Sequence, residues 1–209
     1  MIKAFLFDLD GVLLDSEYRT ISIKKELLIE YGFKVDDDLI NKLAGKKINN
    51  ILPQLFPEFE KMDELLNEYN HRAYDNIDYS LLEMNGATKV LNELKRKYKL
   101  ALVTASDKQK LNLVFKQLNW YNIFDVVIDA DMNLPAKPNP HVYIKAMELL
   151  DVKPSECIVV EDSKNGLLAA KRAQAKVIAK KENRYVLDQS AADKYIDNLE
   201  ELLEEDLYE

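Results

Sequence analysis

Short unbroken apolar runs alternate along this chain with longer stretches whose apolar residues recur every three or four positions. Residues 2–7 form the first run, and Asp8, Asp10 and Gly11 stop it. Further runs lie at 100–103, 126–128, 157–160 and 176–179. Each is short, apolar and bounded by polar residues, which predicts buried strands. Helical periodicity fills the intervals. It covers 86–96 before the second strand, 108–118 after it, 140–150 after the third and 164–173 after the fourth. Pro140 stands near a helix start, where its missing N–H costs little. Strands alternating with helices predict an α/β fold with a doubly wound parallel sheet.

Residues 16–82 break this alternation. A helical pattern runs over 16–31 and Gly32 stops it. A second covers 36–43, with acids at its start where the helix dipole favours them. Others cover 48–56, interrupted by Pro53, and 60–76. The interval carries no strong strand signal, so an all-helical insert is expected at 16–82. The sheet domain is then assembled from 1–15 and 83–209. The tail, 198–209, reads as an acidic helix packed through Leu199, Leu202 and Leu203.

Composition narrows the picture. The chain has 209 residues, 47% apolar and 32% charged, with a formal net charge of −8. That length suits one α/β domain with a smaller insertion. Lys46-Lys47 and Lys180-Lys181 are isolated pairs, and the dense basic patch of a nucleic-acid binder is absent from the sequence. One cysteine, Cys157, cannot form an internal disulfide, and its place in an apolar run makes it a core residue of a reducing compartment. No stretch approaches the roughly 18 apolar residues of a membrane span. The first apolar run is too short and too soon broken for a signal peptide. A cytoplasmic, monomeric protein is expected, without nucleic-acid or membrane partners.

The chemistry sits where strands end. Asp8 and Asp10 follow the first strand. Thr104 closes the second. Lys137 lies in the loop after the third, and Glu161 and Asp162 follow the fourth. In a parallel sheet these loops share one edge, so the groups can converge. Singly, each has an ordinary reading. Asp-x-Asp is commonly a solvated turn, Thr104 a structural residue, Lys137 an exposed loop residue. Glu161-Asp162-Ser163 can be only a helix cap. His71, His141 and the run Asp36-Asp37-Asp38 read as surface residues.

Together, in order, the groups resemble the four motifs of the haloacid dehalogenase superfamily, in the branch with a helical cap inserted after the first motif. Asp8-Leu9-Asp10-Gly11-Val12 with Asp15 is similar to the first motif and Thr104 to the second. Lys137-Pro138 is similar to the third, and Glu161-Asp162-Ser163 with Gly166 to the fourth. The nearest branch is that of sugar-phosphate phosphatases and β-phosphoglucomutases. The resemblance implies a small-molecule phosphate ester as substrate, Asp8 as nucleophile and Asp10 as general acid and base. It implies Mg²⁺ held by Asp8, Asp10 through its carbonyl, Asp162 and Glu161. Thr104 and Lys137 would hold the phosphoryl group. Gly11, Ala105, Ser106 and Lys108 would lie against the substrate, and Gly45, Lys46 and Lys47 would reach it from the cap.

Two other readings are disfavoured. A receiver domain combines similar residues, but its acceptor aspartate follows a later strand and it lacks a helical insert. A dehalogenase does not need the second acid at Asp10. Within the resemblance, the mutases carry a histidine early in the first cap helix and a Lys-Gly-x-x-Arg pattern in a cap loop. This chain has Arg19 or Thr20 at the first place and Ala44-Gly45-Lys46-Lys47-Ile48 at the second. That departure favours phosphatase over mutase.

Overall fold

Residues Ala4–Phe7 are buried on both sides and form β1, the centre of the sheet. A strand covered on both faces reads as a continuous apolar run. The computed structural model describes residues 1–44, 46, 48–74 and 77–204. Around β1 lie β2 (Lys99–Val103), β3 (Val126–Ile128), β4 (Cys157–Glu161), β5 (Lys176–Lys180) and β6 (Lys194–Ile196). Their order is β3-β2-β1-β4-β5-β6, and every pairing is parallel. β1 sits opposite Lys99–Leu102 on one side and Cys157–Val160 on the other.

The helices α5 (Ala87–Lys95), α6 (Lys108–Leu118), α7 (His141–Leu150) and α8 (Lys164–Arg172) supply the crossovers. Side chains alternate across a strand. Ala4 and Leu6 point into a core shared with Tyr143, Met147 and Leu150 of α7 and Leu167 of α8. Phe5 and Phe7 stack 6.1 Å apart, and Phe5 meets Tyr98 edge-on at 5.1 Å. Cys157 is buried within the first of these cores and is a free thiol.

The described residues divide into two compact units. One comprises 1–15, 79–182 and the chain from 187 onward. The other comprises 16–78 with 183–186. The second unit holds α1 (Ser16–Glu30), α2 (Asp37–Leu43), α3 (Ile48–Leu55) and α4 (Met62–Tyr74). Leu27, Leu28, Leu43, Leu52, Leu65 and Tyr69 form its core, and Phe33 packs on Phe56 and Phe59 at 4.5 and 4.7 Å. Asp36 caps α2 by accepting from the Leu39 N–H at 3.0 Å. Lys24, almost wholly buried, donates to the carbonyls of Leu43 and Lys46 at 3.2 and 3.0 Å.

Several expectations need correction. β6 was not anticipated, because only Ile196 of its three residues is buried and no apolar run marks it. Pro53 does not interrupt α3, which continues to Leu55. The proline falls in the last turn, where one lost bond is offset by burial of Ile48 and Leu52. The tail is a 3₁₀ helix at Leu199–Leu203 within the described residues, with Leu199 and Leu202 buried. Residues 205–209, and Asn76 at the end of the expected fourth helix, lie outside the described residues. No described helix is long and apolar enough to cross a membrane.

Leu6, fully buried in the central strand, tests the core. Leu6→Ala is expected to lower unfolding free energy by about 2–5 kcal/mol. Leu81→Ala, at a side chain 81% exposed, is expected to change it by about 0.5 kcal/mol or less. Urea denaturation of both variants measures the contrast.

Candidate active site

The chain runs from β1 toward β2 on one side and from β4 toward β5 on the other, while β1 and β4 are neighbours. Such a reversal opens a crevice beyond the carboxyl ends of the two strands, where open α/β sheets bind ligands. Asp8 is the first residue past β1. Its N–H continues the ladder to the Val160 carbonyl at 3.0 Å. Glu161 is the last residue of β4, and Asp162 follows it. The three carboxylates are buried, and an oxygen of each lies within 4.8 Å of the others.

Lys137 enters from the loop between β3 and α7. Its ammonium donates to Asp8 Oδ1 at 2.6 Å, to Glu161 Oε1 at 2.7 Å and to the Val103 carbonyl at 3.0 Å. The Tyr143 ring lies beneath it, 5.0 Å to the centroid, and the Tyr143 hydroxyl donates to Glu161 Oε1 at 2.8 Å. Arg172, which ends α8, donates to the Pro138 carbonyl at 2.7 Å and so ties down the lysine loop. Glu161 Oε2 accepts from the Asp162 N–H, the Ser163 N–H and the Ser163 hydroxyl at 3.0, 3.1 and 3.0 Å. Ser163 also caps α8 through the Gly166 N–H.

These partners set the charges. Burial alone would raise the Glu161 carboxyl, but Lys137, Tyr143 and Ser163 outweigh it and hold it below the usual range. Burial would likewise lower Lys137, yet the charges of Asp8 and Glu161 raise it well above its ordinary value. One ammonium thus serves two carboxylates. Glu161, with more donors, keeps its charge. Asp8 bears the shortfall: burial pushes it up to about 7, Glu161 and Asp10 add to the rise, and Lys137 opposes it. A buried carboxylate cluster short of positive charge, with oxygen-only donors, fits a hard divalent cation such as Mg²⁺.

Two glycines let the acids approach the backbone. A Cβ on Gly166 would lie 1.7 Å from Glu161 Oε1. A Cβ on Gly11 would lie 2.0 Å from Asp162 Oδ2, and Gly11 also has φ +86°. Gly11 therefore stands against an acid of the cluster.

Asp10 stands apart from the three carboxylates. Lys110 Nζ donates to both of its oxygens at 2.6 and 2.7 Å, and the Ser106 hydroxyl donates to Oδ2 at 2.9 Å. Thr104, buried at the end of β2, donates its N–H to the Ile128 carbonyl at 2.9 Å. Its hydroxyl oxygen accepts from the Ser106 N–H at 3.0 Å. Ala105 is exposed in the same loop. Lys108 is exposed, and its backbone N–H donates to Asp131 Oδ2 at 3.1 Å. In the helical unit, Lys46 is exposed and lines a concavity of about 330 Å³ with Asn50, Ile51 and Gln54. Gly45 and Lys47 lie outside the described residues. His71 and His141 are exposed.

Two site residues escaped the sequence reading. Tyr143 looked like one apolar position of α7; its only signal is that a buried tyrosine hydroxyl needs a partner. Lys110 belongs to none of the four motifs. Its signal is a cation in the first turn of a helix, where the macrodipole disfavours it.

The family described as haloacid dehalogenase-like hydrolase matches residues 5–180, and the chain belongs to that family. It is 32% identical over 176 residues to a phosphorylated carbohydrates phosphatase of Thermotoga maritima, covering 82% of each chain. It is 28% identical over 209 residues to the pyrophosphatase PpaX of Bacillus mycoides, covering 97% of this chain and 95% of the relative. Among solved structures, a β-phosphoglucomutase of Clostridium difficile superposes with a TM-score of 0.70. The two are 25% identical, over 97% of this chain and 93% of that one. The protein is an enzyme of the phosphatase type within this family.

Gly166 gives a direct test of the packing around Glu161. Gly166→Ala is expected to destabilise the fold by about 1–3 kcal/mol and to depress turnover sharply, because the Glu161 carboxylate must move away from Lys137. Gly32→Ala, where nothing lies within 4 Å but φ is +85°, is expected to cost stability and leave turnover intact. Thermal melts and phosphate-release rates on both variants distinguish the two effects.

Proposed function

We propose that this enzyme hydrolyses a small phosphorylated metabolite, foremost a sugar phosphate, through a phosphorylated Asp8. The observation that carries the reading is the Asp8 carboxylate at the β1/β4 crevice, held at 2.6 Å by the Lys137 ammonium and grouped with Glu161 and Asp162. Phosphoryl transfer asks a protein mainly for positioning and charge stabilisation. An Asp8 oxygen attacks phosphorus and the bond to the leaving oxygen breaks, while Asp10 gives that oxygen its proton. Water then attacks the phosphorylated aspartate and returns a proton to Asp10. The bond to Asp8 breaks and inorganic phosphate leaves.

Lys137 balances charge on Asp8 and on the transferring group, and Thr104 offers its hydroxyl to a phosphoryl oxygen. Asp8, Asp162 and the Asp10 carbonyl would hold Mg²⁺, which when bound neutralises charge on the phosphate oxygens. Both Glu161 oxygens already accept protein donors. Its part is to hold Lys137 in place and to add negative charge beside the cation.

Hydrolysis is favoured over isomerisation by the helical unit. Arg19 donates to the Ala73 and Arg72 carbonyls at 2.9 and 2.8 Å, and the Thr20 hydroxyl donates to the Glu17 carbonyl at 2.8 Å. Both candidates at the mutase histidine's place are thus engaged inside their own unit. The sugar-phosphate preference leans on the Thermotoga relative.

Asp8→Asn is expected to abolish phosphate release from a panel of sugar phosphates, phosphoglycolate and pyrophosphate, with the circular-dichroism spectrum unchanged. EDTA should abolish it reversibly, and Mg²⁺ should restore it. Substantial turnover by purified Asp8→Asn protein would remove the covalent route. With β-glucose 1-phosphate and a bisphosphate primer, free phosphate is expected and glucose 6-phosphate is not. Rapid formation of glucose 6-phosphate with little free phosphate would make the enzyme a mutase.

A further inference from the structure

We infer that Lys110 is a positioning residue that holds the Asp10 carboxylate in the geometry for proton transfer, an inference that rests on the acid–base role given to Asp10 above. Asp10 lies beyond the end of β1 with a third of its side chain exposed. A short carboxylate in such a place has several rotamers open to it in water. Here both oxygens are taken: Lys110 reaches them at 2.6 and 2.7 Å, and Ser106 adds a third bond at 2.9 Å.

The clamp is built on rigid parts. Asp107 is the N-cap of α6, and its Oδ1 accepts the Lys110 N–H at 2.8 Å. Leu111 and Val114 of the same helix are both buried. Side chains of a helix tilt toward its N-terminus, so a lysine in the first turn leans toward the strand ends. Ser106 is fixed from two sides. Its N–H donates to Thr104 Oγ1 at 3.0 Å, and its carbonyl accepts from the Ala130 N–H at 3.0 Å.

Fold stability does not call for this lysine. A cation in the first turn opposes the helix dipole. A partly exposed ion pair contributes little to fold stability. What the pair supplies is orientation. A misplacement of about 1 Å in a reacting group can cost about 100-fold in rate.

The test uses steady-state kinetics on the Mg²⁺-loaded enzyme with two probes. One is p-nitrophenyl phosphate, whose leaving group needs little protonation, and the other is the best alkyl sugar phosphate of the panel. Lys110→Met is expected to lower kcat on the alkyl phosphate about 10–100-fold, with KM nearly unchanged and a much smaller loss on the aryl phosphate. Lys110→Arg should recover most of the activity. Lys110→Met added to Asp10→Asn should cost little more than Asp10→Asn alone. If Asp10→Asn discriminates between the probes while Lys110→Met slows both equally, or raises KM at constant kcat, Lys110 does not position Asp10 and the inference is overturned by itself. If Asp10→Asn slows both probes equally, the acid–base role of Asp10 fails and this inference falls with it.

Discussion

The site depends on one largely enclosed ammonium shared by two carboxylates. Lys137 touches Asp8 and Glu161 at 2.6 and 2.7 Å, and the Glu161 side chain is wholly inaccessible to water. Burying such charges is costly, and the cost is met only where hydrogen bonds complete the set. Much of the local structure serves that end. Tyr143 lies beneath the ammonium and donates to Glu161. Ser163 both completes Glu161 and caps α8. Arg172 returns from the far end of α8 to hold the Lys137–Pro138 loop. Removing either partner of a buried pair like this leaves a bare charge, which typically costs about 3–5 kcal/mol.

The same cluster explains why the backbone must be small at two points. Gly11 and Gly166 come from different motifs, yet each gives way to an acid of the same group. The β1/β4 crevice is narrow because the strands are hydrogen-bonded neighbours, so acids at their ends crowd the turns that follow. Crowding keeps an oxygen of each of the three carboxylates within 4.8 Å of the others. It also leaves Asp8 short of compensating charge, the condition a divalent cation relieves.

Asp10 obeys a different rule. Its carboxylate is partly exposed and is held by Ser106 and Lys110 of the β2–α6 segment, outside the buried cluster. The two aspartates of the first motif, two residues apart in sequence, therefore meet unlike surroundings. One is buried and shares a lysine with Glu161. The other is solvent-facing and clamped. Groups whose environments differ in this way are suited to different chemical tasks.

The sequence by itself determined the sheet core and the edge at which the candidate site residues lie. Most residues of β1, β2, β4 and β5 are buried, and burial on both faces leaves a continuous apolar run that a single sequence displays. The acids and Thr104 stand at or just past the strand ends and Lys137 lies in the loop after β3, so parallel topology brings them to one edge of the sheet. Tertiary structure decided what has no local signature. β6 forms because β5 offers an edge, although its own residues are mostly polar. α3 survives Pro53 because Ile48 and Leu52 are buried in the helical core. Tyr143 and Lys110 acquire their partners 18 and 100 residues away. Periodicity assigns a residue to a face of its own helix. Which charge that face meets is set by the packing of elements distant in the chain.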